Sequence, residues 1–136
     1  MRLTQEIDYG FRITSYLSAH PGDVIGAPII SKELTIPERF TLRILRKLNL
    51  AGITDAKRGA HGGYYLKADR ETLTLYDVIE ALDGPIVINR CLDEDNPYCN
   101  RFNEDGMSHC NFHKTLCGIQ ADIVEQFKDV KIIDCI

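Results

Sequence analysis

The stretch TIPERFTLRILRKLNLAGI, residues 35–53, decides how the chain is read. Pro37 suits the first turn of a helix, and Gly52 suits the position just past its end. At about 100° per residue, Phe40, Ile44 and Leu48 gather on one face with Leu45 beside them. Arg39, Arg43, Arg46 and Lys47 fall opposite. Such a helix packs one side on a neighbour and offers cationic groups from the other. A short helical segment, IISKEL, lies just upstream after Pro28. Short helix, turn, amphipathic helix with a basic outer face is the helix-turn-helix pattern. Taken alone, the pair also fits a plain surface helix with a polar outside.

The adjoining segment of the chain decides between these readings. ITDAKRGAHGGYYLKA, residues 53–68, holds two short β-type stretches, Ile53–Ala56 and Tyr64–Leu66. Three glycines fall among residues 59–63, where no side chain could fill a core. The expected form is a hairpin with a basic, glycine-rich tip, a wing, carrying Arg58 and His61. A nucleotide cradle would need a Gly-Lys-Ser/Thr ending or a strand–loop–helix context, and neither is present.

Charge is distributed to match. The whole chain carries −4, but residues 39–70 carry +6, against −2 for residues 1–38 and −8 for residues 71–136. A basic centre in an acidic chain is the footprint of a phosphate-binding face; the competing reading is a solvated charge run. At 136 residues and 44% apolar content, the chain suits one domain, or a domain with an appendage, and can bury a core. No run of about 18 apolar residues occurs, so no membrane span is expected. MRLTQEIDYGFRI carries charges where a signal peptide is apolar, and a cytoplasmic location is expected.

The flanking segments are helical. Leu3, Ile7, Phe11, Thr14 and Leu17 recur at three or four residues in a first helix that ends before HPGD. TLTLYDVIEALDGP, residues 72–85, reads as another helix, with Thr74 as N-cap, Asp77 three residues on, and Val78, Ile79 and Leu82 inward. Gly84-Pro85 ends it. A long helix over HKTLCGIQADIVEQFKDV, residues 113–130, carries the stripe Leu116, Ile119, Ile123, Phe127 and Val130. Nothing nearby in sequence covers that stripe, so it folds back on the domain or meets a copy of itself.

Between these helices, residues 90–118 hold Cys91, Cys99, Cys110 and Cys117, four of the five cysteines, in a stretch without apolar periodicity. An odd cysteine count and no secretory signal argue against a disulfide framework. Thiols in a reducing compartment bind metal or do redox chemistry. A structural zinc usually shows a short Cys-two-residues-Cys pair, and none is present.

MRLTQEIDYGFRI, RFTLRILRKLNLAGI, the RGAHGGYYL wing, LYDVIEALDGP, and a three-cysteine loop before a last helix together resemble the Rrf2 family of bacterial transcriptional regulators over nearly the whole chain. The resemblance implies a mainly α fold with a small β-hairpin wing: a winged helix-turn-helix over residues 1–85, then a cluster-binding loop and a long C-terminal dimerisation helix over 86–136. It implies a regulator and not an enzyme: a homodimer, a repressor or dual regulator, on a palindromic double-stranded DNA operator. The DNA contacts would come from Arg39, Arg43, Arg46 and Lys47 on the reading helix, and from Arg58 and His61 on the wing. Thr41-Leu42 departs from relatives on that helix.

The resemblance further implies a two-iron or four-iron iron–sulfur cluster on Cys91, Cys99 and Cys110, sensing redox state, nitric oxide or iron supply. Seven and ten residues separate these cysteines, the second gap being longer than the family's usual one. For the fourth ligand Asp8 ranks first, by its match to an aspartate that some members supply from the opposite subunit. His113 ranks second, by a spacing other members share. Cys117, one helical turn beyond, ranks third. Cys135 is not expected to be a ligand. The rival readings are a clusterless regulator working through a protein partner, and a small iron–sulfur redox protein.

Overall fold

The computed structural model describes residues 2–95, 99 and 110–136. α1 spans Gln5–Ala19 and begins where the Thr4 hydroxyl accepts the Ile7 amide at 3.3 Å. That cap leaves Leu3 outside the helix and 45% exposed, so the apolar face starts one turn later than the periodicity suggests. Ile7, Gly10, Ile13, Thr14, Leu17 and Ser18 are the buried positions, with Phe11 packed half-buried beside them. At Gly10 an added Cβ would lie 2.3 Å from Leu82 Cδ1; the missing side chain lets the helix that carries Leu82 cross α1 closely.

α2, Ala27–Leu34, and α3, Glu38–Leu50, form the helix-turn-helix. The turn runs through Thr35 in the left-handed region, at φ 54°, a conformation a β-branched residue adopts at a cost. Ile36 then drops into the core, held by its amide on the Ser31 carbonyl at 3.0 Å. Pro37 sits one position before the first helical turn, as the N-cap, and Gly52 follows the α3 end at φ 76°. Ile44, Leu45 and Leu48 are fully buried; Phe40 is half-buried and meets Tyr9 with ring centroids 6.4 Å apart.

β1, Thr54–Lys57, and β2, Gly63–Leu66, pair antiparallel from Thr54↔Leu66 to Lys57↔Gly63. The hairpin is anchored at its far edge: Ile25 and Tyr64 exchange backbone hydrogen bonds at 2.9 and 2.8 Å. A Cβ on Gly63 would lie 2.5 Å from the Ile25 carbonyl carbon, so only glycine permits that approach. α4, Leu75–Asp83, has the expected capping box between Thr74 and Asp77, the expected buried Val78, Ile79 and Leu82, and Gly84 at φ 78° as its C-cap.

Among the described residues a 3-10 turn, Arg90–Leu92, precedes α5, Asn111–Asp129. In the single chain α5 has no buried residue. Leu116, Ile123, Val124 and Phe127 are half-buried, while Phe112 and Ile119 stand 68% and 46% exposed. It meets the residues after α4 through Gln120 Oε1, which accepts the Ile88 amide at 3.0 Å, and it meets α4 of the DNA-binding head, residues 1–85, through Lys128 Nζ, 4.8 Å from the Tyr76 ring centroid. Burial, with Glu80 beside it, raises the Tyr76 pKa. Val130 lies just past α5 as its C-cap.

From there the chain returns to the helix-turn-helix unit. The Leu75 amide donates to the Val130 carbonyl at 3.0 Å, the Ile132 amide donates to the Leu73 carbonyl at 2.8 Å, and Ile132 is buried in the core with Ile13 and Leu17. The core of the head therefore draws a residue from beyond α5. No helix among the described residues is long and apolar enough to cross a membrane.

Candidate nucleic-acid interface and cysteine site

α3 turns Thr41, Ile44, Leu45 and Leu48 inward, and this fixes what faces out. Arg39, Leu42, Arg43, Arg46 and Leu50 form the exposed side. Arg39 lies over the Phe40 ring with Cζ 4.9 Å from the centroid, which steadies the guanidinium at the helix start. Of the Thr41-Leu42 pair only Leu42 is presented, at 42% exposure; Thr41 is fully buried and donates its hydroxyl to the Pro37 carbonyl.

Lys47 behaves differently from the three arginines. Its Nζ is 2.8 Å from Glu6 Oε1 on α1 and donates to the Leu82 carbonyl at 3.2 Å near the end of α4. Both partners favour an ammonium group there: a carboxylate, and the negative end of a helix. The side chain expected on the groove-facing set is thus drawn into the junction of three helices. Arg43 shares the same carboxylate, Nε to Oε1 at 3.8 Å, with its side chain 63% exposed.

Arg58 and His61 stand exposed at the wing tip, on the loop between β1 and β2. Lys57 adds a third cation, its Nζ 5.5 Å from the Tyr65 ring centroid. The sequence reading ends the first strand at Ala56 and does not count Lys57 among the DNA contacts; the structure places it as the last, exposed residue of β1. Wing and reading helix are tied together: the Ile53 amide donates to the Leu48 carbonyl at 3.0 Å, and the side chains of Asn49 and Thr54 hydrogen-bond. Arginines on α3 and cations at the tip are therefore carried on one connected frame.

Cys91, Cys99 and Cys110 are half-buried, Cys117 and Cys135 exposed. Cys91 lies in the 3-10 turn and accepts from Asn89 Nδ2 at 3.4 Å, and Cys110 is the N-cap of α5. In donor chemistry and burial these three thiols suit an iron–sulfur group. In position they are spread: among the described residues no three His, Cys, Asp or Glu side chains converge to hold a metal ion. Holding such a group requires the turn, Cys99 and the start of α5 to draw together. Of the fourth-ligand candidates, Asp8 pairs with Arg12 at 3.0 Å on the exposed side of α1. His113 Nε2 and Cys117 Sγ lie 3.5 Å apart and occupy one another.

A helix-turn-helix with an arginine-lined second helix, flanked by an anchored hairpin with cations at its tip, defines a winged-helix DNA-binding protein. The chain belongs to the Rrf2 family, described as iron-dependent transcriptional regulators, which it matches over residues 3–136. These are regulators, not enzymes. The chain is 31% identical to the protein rrf2 of Nitratidesulfovibrio vulgaris over 102 residues, covering 74% of this chain and 67% of that one. It is 26% identical over 110 residues to the HTH-type transcriptional regulator NsrR of Bacillus subtilis, covering 80% and 75%. Its fold superposes with a TM-score of 0.76 on CymR, the global cysteine regulator of B. subtilis, at 21% identity and over 99% of this chain and 95% of that one.

Proposed function

We propose that the protein is a cytoplasmic, homodimeric repressor that binds a palindromic operator in double-stranded DNA, with its affinity set by an iron–sulfur cluster held by Cys91, Cys99 and Cys110. The carrying observation is the joint presentation of Arg39, Arg43 and Arg46 on α3 with Arg58 and His61 on the wing. Arginine forks match guanine edges in the major groove, and a wing arginine suits a narrow minor groove. Lys47 contributes through its hold on Glu6.

The dimer is supported by α5, which carries an apolar stripe and yet no buried residue. Covering Leu116 and Ile123 with a second copy stabilises by about 1.5–3 kcal/mol for each side chain that goes from exposed to buried, and less from a half-buried start. A two-fold pair of heads matches a two-fold operator.

When bound, the cluster supplies a group that reacts to oxidants, nitric oxide or iron supply. The chain's own part is to couple the two regions. The thiols precede α5 or cap its N-terminus, and the residues after α5 pair with Leu73–Leu75 beside α4, so a shift of α5 reaches the head. A second reading, a clusterless regulator acting through a protein partner, is favoured by the spread of the three thiols. The redox-protein reading leaves the arginine face and wing without a use.

The test has two parts. Gel shifts with genomic fragments should show a sequence-specific complex; binding that is equal for all fragments removes the regulator reading. Visible absorption of anaerobically purified protein should show iron–sulfur bands that vanish when Cys91, Cys99 or Cys110 is replaced by alanine. A colourless protein with specific DNA binding selects the clusterless reading, and stoichiometric zinc under reconstitution conditions rejects the cluster.

A further inference from the structure

We infer that Glu6 is a positioning residue for sequence recognition: it buttresses Arg43 from its Nε edge and leaves the two terminal nitrogens to grip a guanine. The inference rests on the DNA-binding reading above and deepens it.

Glu6 lies in the first turn of α1, with its side chain 27% exposed and its Oε1 closed off from solvent. A carboxylate oxygen without water needs cations, and two supply them. Lys47 Nζ approaches to 2.8 Å, off the hydrogen-bonding direction, as an ionic contact. Arg43 Nε lies at 3.8 Å. Lys47 is held in turn by the Leu82 carbonyl at 3.2 Å. One carboxylate is thus fixed where α1, α3 and α4 meet, and Arg43 leans on it.

The plain alternative is an ion pair that adds stability. The Arg43 contact is long and its side chain is 63% exposed, so its share of stability is small. Orientation is another matter. A free arginine has many rotamers and loses them on binding DNA, whereas a guanidinium steadied at Nε keeps its planar Nη fork available. That fork matches O6 and N7 of guanine. Arg39 rests on the Phe40 ring, and neither it nor Arg46 makes an ion pair among the described residues, so of the three only Arg43 meets a carboxylate there. Lys47 also cancels the Glu6 charge, which would otherwise repel the phosphates.

The test starts from an operator that the wild-type protein selects from a random library, then measures binding to single-base variants at fixed salt. Glu6→Gln, close in shape, should reduce discrimination for guanine at one position by about tenfold, the scale of one lost bidentate contact, with binding to non-specific DNA held or raised. Lys47→Met, which frees the carboxylate without touching Arg43, should reduce it in the same position. In an Arg43→Ala background neither change should have any further effect on base preference. The buttress is overturned if Glu6→Gln weakens all operators by one common factor, or if it alters base preference without Arg43. Should Glu6→Gln fail to fold, Lys47→Met in the two backgrounds decides by the same criteria. A wild-type protein that selects no sequence rejects the DNA reading itself; one that selects a sequence, with base preferences intact in both variants, rejects the buttress alone.

Discussion

Ile132 donates its amide to the Leu73 carbonyl at 2.8 Å and buries its side chain to 1% exposure in the core of the head. A residue beyond the long helix thus completes the unit that reads DNA. α5 is pinned to that unit at its C-terminal end by paired backbone, and through Phe127 by packing.

Removing that pin has a defined cost. Ile132→Ala empties a fully enclosed site, and such truncations cost about 2–5 kcal/mol. Urea unfolding should show the midpoint lowered by that loss divided by the slope, with little change in the slope itself. A loss below about 1 kcal/mol, the scale of a surface change, would mean that the site collapses and that the head does not depend on this residue.

Gly63 governs how the wing is held. Gly63→Ala forces a methyl to within 2.5 Å of Ile25 backbone, so the Ile25–Tyr64 bridge must open. Hydrogen exchange at the Tyr64 and Ile25 amides should speed up while exchange in α1 and α4 stays slow. DNA affinity should fall with it, since the tip cations lose their frame. Unchanged exchange at both amides would show that the hairpin is held by other contacts.

Much of this architecture is legible in the sequence, and for identifiable reasons. The Thr74–Asp77 box, Val78, Ile79 and Leu82, the Gly84 stop, and the glycine-rich hairpin are local signals, set by spacings of one to four residues. What escaped turned on where a cap falls or on partners brought from other elements. Leu3 fits the α1 period but lies before the cap. Ile13 is fully buried although the stripe runs through Phe11 and Thr14. Lys47 fits the basic face of α3, yet Glu6 and Leu82 from two other helices draw it inward. Ile132 looks like any residue after a helix until Leu73 is brought beside it. The candidate cysteines are visible as a composition, whereas their separation depends on how the turn, the loop and α5 are placed.

Arg58 offers a test of the wing as a reader. Arg58→Ala should weaken operator binding and flatten preference for A·T pairs beside the main contacts, because a narrow minor groove concentrates negative potential on an inserted arginine. It should also lessen the salt dependence of binding by roughly one counterion. Binding to operators with A·T or G·C flanks, across a salt series, checks both. If flank preference and salt slope match wild type, the tip stays off the DNA.

The fourth position on the proposed cluster is the remaining choice, and the geometry separates its candidates. His113 and Cys117 already occupy one another across one turn of α5. Asp8 is exposed on α1 of the DNA-reading unit and among the described residues pairs with Arg12, a surface pair worth little. Giving up Arg12 is therefore a small loss, and a carboxylate from α1 would join the thiol region to the reading head of a dimer. Carboxylate is a harder ligand than thiolate, so its bond to iron should be the weakest of the set. Asp8→Ala should then retain iron and sulfide, alter the visible spectrum, and leave DNA affinity the same with or without the cluster. His113→Ala and Cys117→Ala should change neither. Arg12→Ala, which frees Asp8 without removing it, should keep the wild-type spectrum. If Asp8→Ala leaves spectrum and coupling as they were while His113→Ala alters them, the ligand is His113, and the link to the head runs through α5 and the Leu73–Ile132 pairing instead.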